Sequence, residues 1–282
     1  MTFKAGSPML LVDERDRQYM FNIPREDEPA MRIRGENLTH EMLVSQPSGG
    51  VLRTELRRRY LVLKPTLEQI IMNMPRQAQV IYPKDIASML MWGDVAPGQR
   101  IVEVGCGHGA LTMSLLRALG REGHLTTYDI RPDHLNRTRK NIALYLGEEY
   151  LERWSSVAFD ITTPEQNHDE PDDSRAAVLQ GEPLPRAQAV FTDIPEPWRM
   201  LDAAAAILVD GGVWVAYIPT VLQLMQQVVG LNRHRAFSLA EGFETLQRYW
   251  HVSPPSVRPR HGMKAHTGFI ITARRRYLPE DD

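Results

Sequence analysis

The chain is short of three things, and each shortage closes off a class of protein. Its 282 residues hold one cysteine, Cys106, so no disulfide framework can form within the chain and a reducing compartment fits. No apolar run is long enough to cross a bilayer, and the opening stretch "MTFKAGSPMLLVDERD" has no uninterrupted signal-type core. A soluble, cytoplasmic protein with no membrane partner is the expectation. An excess of one charge is also missing: 33 Lys and Arg stand against 35 Asp and Glu, a formal net charge of -2. No global field therefore favours a polyanion, and any site for one must be a local patch.

Two regimes follow one another along the chain. Residues 1–64 read as a small β-rich domain: "MLLVDERDRQYMFNI" gives two strands around the turn Asp13 to Arg17, and "GGVLRTELRRRYLVLKP" gives another pair. Between them "PREDEPAMRIRG" reads as a charged connector, and "NLTHEMLVSQ" as room for one short helix. From residue 65 to 282 strand and helix patterns alternate, which implies a Rossmann-like α/β sheet, mostly parallel. Strands are expected at "RIVEV", "HLTTYD", "SVAFD", "AVFTD" and "VWVAYI", and helices at "LTMSLLRAL", "DHLNRTRKNIALYL" and "PWRMLDAAAAIL". "ETLQRYWHV" and "HTGFIITARR", joined only by a loop, read as an antiparallel pair closing the sheet. The acidic, proline-rich residues 162–185 read as a surface loop. His168 and its acidic neighbours lack the spacing of a preorganised metal site, and no metal is expected.

The sharpest local signal is "IVEVGCGHGALTMSLL". A β-branched strand enters Gly105, Gly107 and Gly109 and a helical pattern follows at once, the arrangement that lets backbone amides approach a ligand. Asp129, closing the next strand about twenty residues on, would meet a ribose diol there. The letters G-C-G-H-G-A also satisfy a relaxed dinucleotide fingerprint, so a nicotinamide enzyme is one reading. Glu103 gives the alternative E-x-G-x-G-x-G form, typical of S-adenosylmethionine-dependent methyltransferases. Asp160 and Asp193 close two further strands, so four strand ends carry an acid at the edge where such sheets bind ligands. Cys106 reads as a small filler of the glycine loop, since no base at readable spacing would make it a thiolate. His108 is placed to touch the cofactor.

These motifs resemble the tRNA (adenine-58-N1)-methyltransferases of the bacterial single-gene type over nearly the whole chain. The segments that carry the resemblance are "VIYPKD", "VEVGCGHGALTMSLLRALG", "DIRPDHL", "DIPEPW", "VAYIPTVLQ" and "VRPRHGMKAHTGFIITARR". The family usually has Ser at the position of His108, Glu at that of Asp129, and Gly-His-Thr-Ala-Phe where Ala265 to Phe269 stand here. The resemblance implies S-adenosyl-L-methionine bound by Glu103, Gly105, Gly107, His108, Gly109, Ala110, Asp129, His134, Asp160 and Asp193. It implies tRNA as partner and a homotetramer. Tyr82, Tyr217 and His266 would face the substrate base.

Asp193 is the expected catalytic residue. Adenine N1 becomes positively charged as it is methylated, and a carboxylate accepting from the exocyclic N6 amine would orient the ring and stabilise that charge. Pro195 and Pro197 restrict the backbone that carries it. Phosphate contacts would come from Arg53, Arg57, Arg58 and Arg59, and from Arg258, Arg260, Lys264 and Arg274 to Arg276. The alternatives at this stage are a methyltransferase acting on an exocyclic amine, a protein or a small molecule, and a non-catalytic binding subunit. The retained glycine loop and acid speak against the last.

Overall fold

The computed structural model describes residues 3–74, 80–162, 165–166, 177–179, 182–183 and 185–278. His168 lies outside them. The chain divides into two compact units, residues 1–75 with 141–148, and residues 76–140 with 149–282.

The first unit is built on the alternation seen in its sequence. Strands β1 (Pro8–Asp13) and β2 (Gln18–Asn22) form one hairpin. β3 (Met31–Ile33), inside the stretch expected to be a connector, and β4 (Glu36–Leu38), just after it, form a second hairpin. That hairpin turns on Arg34 and Gly35, both at positive φ, and is too short for alternation to reveal it. After helix α1 (His40–Val44) come β5 (Val51–Arg53) and β6 (Arg59–Leu63), and the four longer-range strands order as β2-β1-β6-β5. Met9, Leu11, Ile23, Leu38, Leu43 and Tyr60 make its core. Helix α2 (Leu67–Asn73) starts with a capping box between Thr66 and Gln69.

The second unit begins with α3 (Pro83–Trp92), whose proline occupies the first helical turn, where its missing N–H costs nothing. The strands β7 (Arg100–Val104), β8 (His124–Asp129) and β9 (Trp154–Ala158) alternate with α4 (Ala110–Ala118) and α5 (Pro132–Tyr145). Between residues 162 and 185, expected to be loop, short strands β10 (Glu165–Gln166), β11 (Ala177–Leu179) and β12 (Glu182–Pro183) pair antiparallel. Then follow β13 (Ala187–Thr192), α6 (Leu201–Ile207), β14 (Leu208–Ile218), α7 (Val221–Arg233) and β15 (Phe237–Phe243). β16 (Trp250–Ser253), β17 (Ser256–Pro259) and β18 (Phe269–Arg275) complete the chain.

The main sheet orders as β15-β18-β14-β13-β7-β8-β9. From β9 to β14 all pairings are parallel, while β18 pairs antiparallel with both β14 and β15. A mostly parallel sheet with an antiparallel end is as expected, but the end is built differently. The outer partner of "FIITARR" is Phe237–Phe243, not "ETLQRYWHV", whose Trp250, His251 and Val252 pair with Pro259, Arg258 and Val257 instead. Val102, Val190, Phe191, Trp214 and Ile271 are buried at the sheet's centre. Helix α4 is buried from Ala110 to Leu116, as a helix apolar nearly all round must be. Strand order reverses at β7: β8 and β9 follow it on one side, β13 and β14 on the other, and that switch point fixes where a ligand can enter the sheet edge.

Candidate active site

Two turns meet at the carboxyl end of β7. The amide of Asp193 donates to Val104 O at 2.9 Å, and the amide of Gly105 donates to Tyr128 O at 2.8 Å. Gly105 has φ +85, and a Cβ there would overlap the carbonyl oxygen of Asp193 and approach Ile194 Cγ2 to 2.9 Å. Only glycine lets the two backbones touch. Gly107, at φ +52, has nothing within 4 Å of where a Cβ would be, so that side of the loop is open to a ligand. Gly109 caps α4 in the left-handed conformation, directly before Ala110.

A cavity of about 190 Å³ opens beside these turns, lined by Gly105, Asp129 and Asp160 with the apolar Ile130, Phe159 and Ile161. The turn after β13 supplies the opposite wall through Ile194 and Pro195. Asp129 accepts from the Cys106 amide at 3.0 Å, the Arg131 amide at 2.9 Å and the Cys106 thiol at 3.5 Å, and its Oδ2 lies 3.2 Å from His134 Nδ1. Asp160 lies two residues past the end of β9, and its Oδ1 accepts from Thr162 N at 3.0 Å and Thr162 Oγ1 at 2.6 Å. His108 is buried, its Nε2 lies 3.0 Å from the Arg137 guanidinium, and its ring stacks on His134 at 6.5 Å. Burial, then Arg137, lowers its pKa, so the imidazole is neutral and accepts from Arg137. The Cys106 thiol is pushed far up by burial and by Glu103, which leaves it inert.

Glu103 does not reach the cavity. It is fully buried, and its carboxyl accepts from Thr112 Oγ1 at 2.8 Å and Thr127 Oγ1 at 2.8 Å, tying α4 and β8 to β7. Trp154 Nε1 donates to Thr127 Oγ1 at 2.8 Å and extends the tie to β9. Burial pushes Glu103 up to about 8, against the two hydroxyl bonds, with Asp193 and Asp129 adding repulsion. Asp193 keeps part of its surface exposed, but its carboxyl is desolvated and stands at about 7, through burial first and Asp129 second. The following turn is stiff: Gln223 Nε2 donates to Pro195 O at 2.8 Å, and Pro197 opens a 3₁₀ turn ending at Met200.

Sequence reasoning missed a buried cluster adjoining these residues. Lys84 and Asp85 form an ion pair at 2.7 Å, with side chains 6% and 0% exposed. Asp85 also accepts from Thr245 Oγ1 at 2.5 Å, Thr267 Oγ1 at 2.6 Å and Tyr217 Oη at 3.3 Å. Breaking such a buried pair costs about 3–5 kcal/mol, whereas an exposed pair such as Arg131–Asp133 is worth roughly 0–1 kcal/mol. The letters "YPKD" held the signal: two charges in the first turn of a half-buried helix need partners. The Tyr217 phenol is pushed up by burial, then by Asp85, and Asp193 acts in the same direction. Tyr82 sits at the start of α3 with Lys264 Nζ 4.8 Å above its ring. His266 is clamped between Glu244 at 2.9 Å and Pro219 O at 2.9 Å, and these bonds raise its pKa.

The basic candidates are dispersed. Arg58 donates to Arg34 O and meets Glu36, while Arg274 and Arg275 donate to the carbonyls of Gly211 and Ala205 at the sheet edge away from Asp193. No group of three or more metal-ligating side chains gathers among the described residues. Among them, too, no helix is long and apolar enough to cross a membrane.

The chain is 34% identical over 268 residues to a tRNA (adenine(58)-N(1))-methyltransferase TrmI of Thermus thermophilus, covering 95% of this chain and 96% of that protein. It is 28% identical to a tRNA (adenine(57)-N(1)/adenine(58)-N(1))-methyltransferase TrmI of Methanocaldococcus jannaschii, covering 94% of each. Its fold superposes on a SAM-dependent O-methyltransferase of Thermotoga maritima with a TM-score of 0.85 and 26% identity, covering 99% of this chain and 96% of that one. A family described as "tRNA methyltransferase complex GCD14 subunit" matches residues 59–260. The chain belongs to this tRNA methyltransferase family, on the class I SAM-dependent methyltransferase fold.

Proposed function

We propose that the protein transfers a methyl group from S-adenosyl-L-methionine to N1 of adenine 58 in the T-loop of tRNA. The observation that carries the reading is Asp193: a desolvated carboxyl fixed in a proline-stiffened turn, backbone to backbone against the glycine loop. The residues fit the cofactor. An apolar cavity flanked by Asp129 and Asp160 suits a nucleoside, and the open side of Gly107 suits close backbone approach. When bound, the cofactor supplies an activated methyl on a sulfonium.

The chain's own contribution is positioning and charge. Asp129 would accept from the ribose diol, and Asp160 from the cofactor's adenine amine. Asp193 would accept from the N6 amine of the target adenine, orienting N1 and stabilising the positive charge that develops on the ring. Tyr82 and Tyr217 would border the base once it has left its stack. Glu103, His108 and His134 act behind these groups, bracing β7, α5 and Asp129.

A homotetramer in the cytoplasm completes the reading. It is supported by apolar side chains left exposed on α7, Val221, Leu222 and Met225, and on the β16–β17 hairpin, Trp250, Val252 and Val257. Copies gathered in this way would pool the dispersed basic patches for one polyanion. The N-terminal β-rich unit, with Arg53 and Arg57 to Arg59, would serve RNA binding or assembly. The test incubates the protein with labelled cofactor and tRNA transcripts carrying adenine or guanine at position 58. Label confined to the adenine transcript supports the assignment; equal labelling of both defeats it.

A further inference from the structure

Resting on that reading, we propose that Lys84 and Asp85 are positioning residues for the reaction, setting the separation between Tyr82 and Tyr217 from beneath the site. One residue touches both tyrosines. The amide of Asp85 donates to the carbonyl of Tyr82 at 2.9 Å, and its carboxylate accepts from the phenol of Tyr217 at 3.3 Å.

Every polar atom of the pair is engaged, and Lys84 Nζ also lies 3.3 Å from Thr245 Oγ1. On Asp85, Oδ1 accepts from Lys84 Nζ and Thr245 Oγ1, and Oδ2 accepts from Tyr217 Oη and Thr267 Oγ1. Lys84 Nζ donates to Asp85, to Thr245 O at 2.8 Å and to Thr267 Oγ1 at 2.5 Å. Thr267 has one proton, which goes to Asp85, so toward Lys84 it accepts. The phenol proton of Tyr217 is likewise committed to Asp85. The same pair thus fastens four separate segments, the start of α3, the end of β14, the stretch after β15 that holds Thr245 and the stretch before β18, at the end of the sheet where Asp193 stands.

Stability alone gives little reason for such a cluster, because well-packed apolar residues in place of a buried ion pair are often as stable or more so. What an apolar cluster cannot do is fix orientation through directed bonds. Gly268 adds a packing constraint from the far side. A Cβ there would overlap Tyr217 Cζ and lie 2.6 Å from its Oη, so the ring is held between Asp85 and the backbone of the strand lead-in. With the Tyr217 ring fixed and the backbone of Tyr82 tied to the same residue, the spacing between the two segments that carry the tyrosines is set from Asp85.

The test is a double-mutant cycle on the full-length protein: Asp85→Asn, Tyr217→Phe and the two combined, each assayed for kcat and KM on the tRNA transcript and for cofactor Kd by calorimetry. Asp85→Asn is expected to lower kcat about tenfold or more with cofactor Kd within about twofold, and the combined variant to match Tyr217→Phe alone, because Asp85 acts through Tyr217. Losses that multiply, or an unchanged kcat, overturn the proposal. If Asp85→Asn does not fold, Thr267→Val and Thr267→Ser decide: Val lowers kcat and Ser restores it, and equal values overturn it. A wild type that leaves tRNA unmethylated would instead defeat the functional reading. In that event the ¹³Cζ resonance of Tyr217, assigned by its loss in Tyr217→Phe, still scores the link: it shifts in Asp85→Asn, and an unmoved signal overturns the coupling.

Discussion

The backbone of Gly105 lies directly against the carbonyl of Asp193, so closely that no side chain could stand between them. The glycine turn after β7 and the acid turn after β13 therefore form one surface, and the position of the Asp193 carboxyl depends on Gly105, far earlier in the chain. Gly105→Ala would meet both a steric overlap and a φ of +85, which together cost about 1–3 kcal/mol. Thermal unfolding should fall by several degrees and turnover by more than stability alone explains; an alanine variant with wild-type melting and turnover would break the link.

Truncating the acid separates binding from chemistry. Asp193→Ala should lower kcat by about 10²- to 10³-fold, the range for removing one preorganised electrostatic group, while calorimetry finds cofactor affinity changed only a few-fold. Unchanged turnover would remove Asp193 from the mechanism.

The same carboxyl gives activity a pH dependence. With Asp193 at about 7 and acting as an acceptor, kcat/KM should rise with pH through that value and level off above it. Asp193→Asn should retain only a low rate without that limb, and an ascending limb of undiminished amplitude in the Asn variant would assign it to another group.

Glu103 gives stability a pH dependence of defined sign. Its folded pKa, about 8, lies above its ordinary 4.5, so the folded state holds a proton that the unfolded state has released between these values. Stability from this group is greatest below 4.5 and is lost as pH climbs to about 8. Urea midpoints should therefore decline less over that window in Glu103→Gln than in the wild type. Parallel profiles would mean that Glu103 is an ordinary carboxylate despite its burial.

Gly268 leaves the Tyr217 ring its place beside the lead-in to β18. Because a Cβ there would overlap the Tyr217 ring, Gly268→Ala should move that ring and raise KM for tRNA with melting nearly preserved. Wild-type kinetics in the alanine variant would show that the ring has room to shift.

Much of this was legible in the sequence, and the reasons for the remainder are physical. The glycine loop and the acids at strand ends show because tight turns and ligand edges admit few residue types, and Asp129 and Asp160 do line the cavity. Glu103 shares the motif yet faces the interior, since a strand's alternate sides are indistinguishable when both are buried. "FSLAEGF" escaped notice as a sheet strand because a bulge near Leu239, at φ +54, and Gly242 break its alternation. "ETLQRYWHV" imitated a strand of that sheet through aromatics that the separate hairpin leaves exposed, Tyr249 and Trp250. Lys84 and Asp85 escaped because their partners, Tyr217, Thr245 and Thr267, lie over 130 residues away.

The most direct measurement of the central claim is primer extension on tRNA after incubation with the protein and cofactor, joined to mass spectrometry of the digested nucleosides. A methyl on N1 blocks the pairing edge of adenine, so reverse transcription should arrest at position 58, and the nucleosides should contain N1-methyladenosine. Full-length extension with the methyl found on N6 or on another nucleoside would contradict the account.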